Sequence, residues 1–198
     1  MLPSSGFTDT FTDSLCAMTM FDQPDFVRRE PQDDDREREI CRRCGFVNYE
    51  NPKIVVGSVA TWEDRILLCR RAIGPREGYW TLPAGYLELN ESPEAGAIRE
   101  AWEEARARLA IDQLLATYAI TRISQVQLIY RARLTRPDIA PGPESLDVAL
   151  FAWDQIPWDA IAFPSVHWAL AHFSQTANRN HFAPLGRSDQ DDPAINSG

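Results

Sequence analysis

The segment KIVVGSVATW (Lys53 to Trp62) constrains the fold of this chain more than any other. It alternates, is rich in β-branched residues, and is followed after the turn-like Glu63-Asp64 by RILLCRR (Arg65 to Arg71). Such runs fit a pleated surface, so together they predict a β-hairpin. A Gly/Pro-rich loop, AIGPREG, then leads to a short strand at Trp80 to Leu82, which Pro83-Ala84-Gly85 breaks. Ser92-Pro93-Glu94 supplies an N-cap, a proline at the first helical position and an acid in the first turn. The helix it opens is expected to run to about Leu109. Further strands are predicted at Leu115 to Ile120, Val126 to Leu134 and Val148 to Trp153, with a closing helix over Ser165 to Thr176. The order is mixed and shows no internal repeat, which predicts an α/β fold with a mixed β-sheet sandwiched by helices.

The flanks differ from this middle. Residues 1–40 hold ten acids and four Arg and end in the charge run QDDDREREI. They are expected to form an acidic, largely flexible arm with one short docked turn around Phe21 to Val27. The folded domain is expected over residues 41–176 and a flexible tail over 177–198. The net charge of the chain is -9, of which the arm contributes -6. Acidity on this scale argues against a nucleic-acid coat protein or a membrane-surface protein. No apolar run approaches the roughly 18 residues that would span a bilayer. The first 27 residues lack Lys and Arg, against a secretion signal or transit peptide, so a cytoplasmic location is expected.

The helix over Ser92 to Leu109 concentrates acids. At 100° per residue, Glu100, Glu103 and Glu104 fall within about a 100° arc, with Ile98, Ala101, Ala105 and Leu109 on the other side. An isolated E-x-x-E-E is commonly a solvated face. Three mutually repelling carboxylates become stabilising when hard, oxygen-preferring divalent cations sit among them. Glu91 and Arg99 can orient and balance the group.

Gly85, Glu91, Arg99, Glu100, Ala101, Glu103 and Glu104 reproduce G-x5-E-x7-R-E-U-x-E-E, where U is aliphatic. This resembles the core of the Nudix box. Its six fixed identities should arise by chance on the order of once in 10⁵ chains of this length. YWTLPAGYLE, CRRCG, NPKIVVG, LCRR, PGPESL and LFAWDQIPWDAIAFPS extend the resemblance toward FAD and ADP-ribose pyrophosphatases. The resemblance implies a Nudix α/β/α sandwich and a hydrolase using Mg²⁺, or Mn²⁺ in its place. Its substrate would be a nucleoside diphosphate linked to a group X, cleaved to a nucleoside monophosphate and phosphorylated X. Glu100 and Glu104 would be the principal metal ligands and Glu103 a further ligand or water activator. Arg99 would orient Glu103, and the Gly85 carbonyl would complete the shell. Glu144, in the loop before the last strand, is the candidate catalytic base. Arg70, Arg71 and Arg76 could reach phosphates, and Tyr86 is a candidate stacking platform. Other readings are a sanitiser of damaged nucleoside triphosphates and a non-catalytic nucleotide sensor. Related enzymes are often homodimers.

Two departures qualify the match. Where the box usually ends in glycine and an aliphatic residue, this chain has Arg106 and Ala107. Arg incurs a penalty of roughly 1 kcal/mol in the left-handed conformation, so the helix is expected to continue a further turn. Cys41-x-x-Cys44 looks like the second knuckle of an N-terminal zinc ribbon, but upstream only Cys16 remains and the arm holds no histidine. Structural Zn²⁺ wants four N or S ligands, so a degenerate, metal-free remnant is expected. Cys69 reads as a small buried hydrophobe, and His167, His172 and His181 have no ligand-spaced partner.

Overall fold

The computed structural model describes residues 25–191. The chain divides into two compact units, with the boundary between Asn51 and Pro52. In the first, β1 (Phe26–Arg29), β2 (Arg38–Cys41) and β3 (Val47–Asn48) form an antiparallel sheet. The expected flexibility up to residue 40 is thus corrected from Phe26 onward. The charge run neutralises itself locally: Arg38 Nε donates to Asp34 at 2.9 Å, holding that carboxyl below its ordinary range. The Arg38 guanidinium also lies 5.3 Å from the Tyr49 ring centroid, and Asn48 donates to Glu39 at 3.1 Å. The first 24 residues, with Cys16 and most of the expected docked turn, lie outside the described residues.

The second unit contains β4 (Lys53–Trp62), β5 (Arg65–Arg71), β6 (Trp80–Thr81), β7 (Ala84–Tyr86) and α1 (Pro93–Ala105). It continues with β8 (Leu109–Ile120), β9 (Gln125–Leu134), β10 (Ser145–Ala152), α2 (Pro164–Thr176) and β11 (Leu185–Ser188). The sheet runs β10-β5-β4-β9-β8-β11, with β6 beside β5 and β7 beside β4. It is mixed: β4 with β9 and β8 with β11 are parallel, the other pairs antiparallel.

Strand alternation divides the core into two layers. From β5, Ile66 and Leu68 join Val59, Leu115, Tyr118, Trp168 and Leu170 in the layer under α2. Leu67 and Cys69 point the other way, to Ala101, Ala105 and Ala107 in the layer that includes α1. Alanines at 97, 101 and 105 give α1 a narrow buried stripe, so the helix approaches the sheet closely. Ile98, expected on that stripe, is exposed. The Tyr118 hydroxyl and His172 Nδ1 are 2.9 Å apart beneath α2, which absorbs that histidine into packing.

Element boundaries differ from expectation in several places, among them the following. Helix α1 stops at Ala105 instead of continuing to Leu109, because Arg106 adopts φ 52, ψ 19, the left-handed conformation expected to be avoided. Its N–H still reaches the Trp102 carbonyl at 2.9 Å, and Ala107 N–H reaches Ala101 at 3.1 Å, satisfying orphan carbonyls. Fully buried Ala107 draws the chain back under the sheet. Strand β8 can therefore begin at Leu109, six residues before the expected Leu115. The C-terminal segment, expected to be a flexible tail from residue 177, contributes β11 alongside β8. It is anchored by Asp189, whose carboxylate accepts from Thr121 N (3.0 Å), Thr121 Oγ1 (2.8 Å) and Arg122 N (3.3 Å). Among the described residues no helix is long and apolar enough to cross a membrane.

Candidate active site

The expected N-cap forms, with Ser92 Oγ accepting from Ala95 N–H at 3.2 Å, and fixes where α1 begins. From that start, Glu100 and Glu104 lie one turn apart on the sheet side, each residue only 9% exposed, while Glu103 projects outward. Burial pushes the Glu100 carboxyl above its ordinary value despite Arg99. Glu104 is pushed up to about 8, first by burial and then by the charge of Glu100. Its one hydrogen bond among the described residues comes from Ala84 N–H at 3.3 Å, and no ion-pair partner touches it there. Gly85 is required by close approach: a Cβ there would occupy the space of the Glu100 carboxylate.

Arg99 organises the rest. Its Nε and Nη2 grip Glu91 at 3.1 and 2.7 Å, and Nη2 also donates to the Tyr86 carbonyl at 2.9 Å. Nη1 donates to Glu100 at 2.7 Å and Glu103 at 2.9 Å. All five guanidinium N–H donors are thereby engaged. The Arg99 pKa is raised accordingly, and Glu91 is held below its ordinary range by Arg99 and by the Glu88 N–H at 2.8 Å.

The loop between β9 and β10 packs on the C-terminal end of α1. Ala140 N–H donates to the Ala105 carbonyl and Gly142 N–H to that of Glu104, both at 2.9 Å. Gly142 comes so near that a Cβ would strike the Glu103 carbonyl. The next residue but one is Glu144, whose carbonyl accepts from Ala72 N–H at 2.8 Å. Its charge helps raise the pKa of both Glu100 and Glu104, which brings it to the acid cluster. The contribution of this loop's backbone was missed in the sequence, where Gly142 between two prolines was the available signal.

The remaining candidates are spread more widely. Arg71 offsets the charge of Glu104, donates to the Pro75 carbonyl at 2.8 Å, and lies over the Phe163 ring at 5.1 Å. Arg70 is exposed and donates to the Gly78 carbonyl at 2.9 Å, so it braces its own loop. The exposed Tyr86 ring has Lys53 Nζ 5.3 Å from its centroid. Cys41 is buried and Cys44 exposed. Among the described residues no three His, Cys, Asp or Glu side chains are already converged as a metal cage. At the acid cluster the Arg99 guanidinium stands between Glu100 and Glu103.

Comparison with known proteins identifies the family. The NUDIX domain family profile matches residues 51–169, which include all of these acids. A MutT-like protein of Streptomyces ambofaciens is 36% identical over 102 residues, 52% of this chain and 64% of that protein, so the chain spans less than two thirds of it. An ADP-ribose pyrophosphatase of Methanocaldococcus jannaschii is 23% identical over 113 residues, 55% of this chain and 67% of that protein. The crystal structure of a NUDIX hydrolase from Nitrosomonas europaea superposes with a TM-score of 0.77 at 43% identity, covering 88% of this chain and 96% of that one. With the Glu91–Arg99–Glu103 network and the buried Glu100–Glu104 pair inside the matched region, the chain belongs to the NUDIX hydrolase family.

Proposed function

We propose that the chain is a divalent-cation-dependent pyrophosphatase acting on a nucleoside diphosphate linked to a group X, with ADP-ribose and FAD as leading substrates. The products would be a nucleoside monophosphate and phosphorylated X. The observation that carries the reading is Glu104: a buried carboxylate beside a second one, with no ion-pair partner among the described residues. Ionised, such a group calls for a cation beside it, and the proposed ligands, carboxylates and the Gly85 carbonyl, are all oxygens, which suits Mg²⁺ or Mn²⁺.

Glu100 and Glu104 would hold the cation, joined by Glu103 and the Gly85 carbonyl. When bound, it would neutralise charge on the phosphate oxygens and lower the pKa of an attacking water. Arg99 keeps Glu103 against the helix and, through Glu91, fixes the turn that presents Gly85. Glu144 would accept the proton of the water, since its loop is tied by backbone bonds to the end of α1. The relative from Methanocaldococcus jannaschii supports the choice of ADP-ribose. The enzyme would be cytoplasmic and a homodimer, without a zinc ion at Cys41 and Cys44.

The test is a panel of ADP-ribose, FAD, NADH, coenzyme A, diadenosine polyphosphates and 8-oxo-dGTP with Mg²⁺, with the products identified. Glu103→Gln and Glu104→Gln should each lose about two to four orders of magnitude in kcat. Wild-type rates in both variants would overturn the site. No hydrolysis of any compound would favour the sensor.

A further inference from the structure

A cavity of about 470 Å³ opens at the start of α2. Among the described residues its lining includes three aromatic side chains, Phe163, His167 and Trp168, with Ile161, Pro164 and Arg76 beside them. His167 ends a row of rings: it stacks on Trp158 at 5.8 Å with an interplanar angle of 23°, and Trp158 meets Trp153 edge-on at 5.3 Å. Trp153 and Trp158 are both exposed, so the row lies at the surface with its His167 end at the cavity. Rings braced by their neighbours in this way stack on a planar ligand at little further entropic cost.

Backbone bonds tie this cavity to the acid cluster. Ala162 N–H donates to the Trp80 carbonyl at 2.8 Å, and Ile161 pairs with Trp80. Four residues on, Ala84 N–H donates to Glu104, and that stretch of chain spans at most about 14 Å. Arg71 makes a second link, since its guanidinium lies over the Phe163 ring and its charge offsets that of Glu104. A diphosphate held at the acids therefore has the cavity within reach of the group on one of its ends. Tyr86, directly after Gly85, offers a separate exposed ring, so aromatic platforms flank this stretch on both sides in chain order.

The polar groups at the cavity choose among ring systems. Arg76 presents guanidinium N–H donors from the loop between β5 and β6, which Arg71 holds through the Pro75 and Gly74 carbonyls. Partial burial lowers the His167 pKa, so its imidazole is neutral and carries one donor and one acceptor. An isoalloxazine ring matches that set, with two carbonyls and bare ring nitrogens as acceptors and an N–H between the carbonyls. Its three fused rings also suit the volume. Oxidised nicotinamide carries a positive charge, which Arg71 and Arg76 repel, and the terminal ribose of ADP-ribose has no aromatic face to stack.

We propose that this cavity is a subsite for the flavin ring of FAD, built on His167, Phe163 and Arg76, so that the enzyme prefers FAD to ADP-ribose and to NAD⁺. The proposal rests on the pyrophosphatase reading and narrows its substrate class. The test uses the full-length protein with Mg²⁺ and these three compounds. The kcat/KM for FAD should exceed that for each of the others by about tenfold or more, the usual worth of one stacked ring. His167→Ala and Arg76→Ala should each cut the ratio of FAD to ADP-ribose by about fivefold or more through KM, and His167→Phe, which keeps a ring, should restore most of it. No preference for FAD, or a preference unchanged in both alanine variants, would overturn the proposal.

Binding keeps the test independent of turnover, with FMN and riboflavin followed by quenching of flavin fluorescence and AMP, GMP and UMP as competitors. Both flavins should bind, and about fivefold or more weakly in each alanine variant, which supports the subsite even if no compound is hydrolysed. Hydrolysis of the three compounds with no preference for FAD and no flavin quenching would overturn the subsite and leave the pyrophosphatase reading standing. A competitor that bound more tightly than FMN, with the same dependence on His167 and Arg76, would identify a nucleobase site and overturn the flavin assignment.

Discussion

Arg99 shows how one side chain sets the working geometry of several acids. Its contacts with Glu91, Glu100, Glu103 and the Tyr86 carbonyl use a planar fork that lysine cannot reproduce. Among the described residues Glu91 hydrogen-bonds none of the proposed metal ligands, yet it holds two edges of that fork and the Glu88 N–H. Glu91→Gln should therefore retain the fold but let Arg99 drift, lowering kcat roughly 10–100-fold, as loss of supporting partners does at metal sites. Steady-state kinetics beside an unchanged circular dichroism spectrum would check this. A fall in kcat accompanied by loss of the folded spectrum would make Glu91 a residue of stability instead. The identity of these residues was legible because their spacing on one helix and its entry turn is local. The hydrogen bond from Ala84 N–H to Glu104 spans 20 positions and was not legible.

At the scale of elements, the hairpin of β4 and β5 was readable to the residue, because alternation and a two-residue turn are written in adjacent positions. The end of α1 was not. Propensity favours continuing the helix through Arg106, but buried Ala107 and the loop bonded to the Glu104 and Ala105 carbonyls favour stopping it. Tertiary contacts win over a local conformational cost of roughly 1–2 kcal/mol. Arg106→Gly should relieve that cost and stabilise the domain by about 0.5–1 kcal/mol, net of glycine's larger entropy loss and the stacking of Arg106 on Trp102. Urea unfolding should show a higher midpoint at an unchanged slope. A lower midpoint would mean that the contact with Trp102 outweighs the backbone strain.

For the molecule as a whole, the least legible feature was β11, whose anchor joins Asp189 to Thr121 across 68 positions and has no periodic signal. The Asp189 carboxyl is held below the ordinary value of 3.8 by the Thr121 N–H, the Thr121 hydroxyl and the Arg122 N–H. A depressed folded pKa stabilises the native state above the unfolded value and loses that contribution as pH falls through the lower, folded value. Asp189→Asn should thus melt below the wild type at pH 7, with the gap closing on acidification below about 3.8. A gap that stayed constant with pH would exclude the charge as its source. Arg99 has a further consequence at this scale. With its own positive charge already lodged among the acids, the protein carries a built-in counter-ion and need not wait for metal in order to fold. Treatment with EDTA should abolish turnover while leaving the far-ultraviolet spectrum and cooperative melting intact, and excess Mg²⁺ should restore activity without a refolding step. In a cell short of magnesium, such an enzyme would fall silent yet persist as a folded reserve.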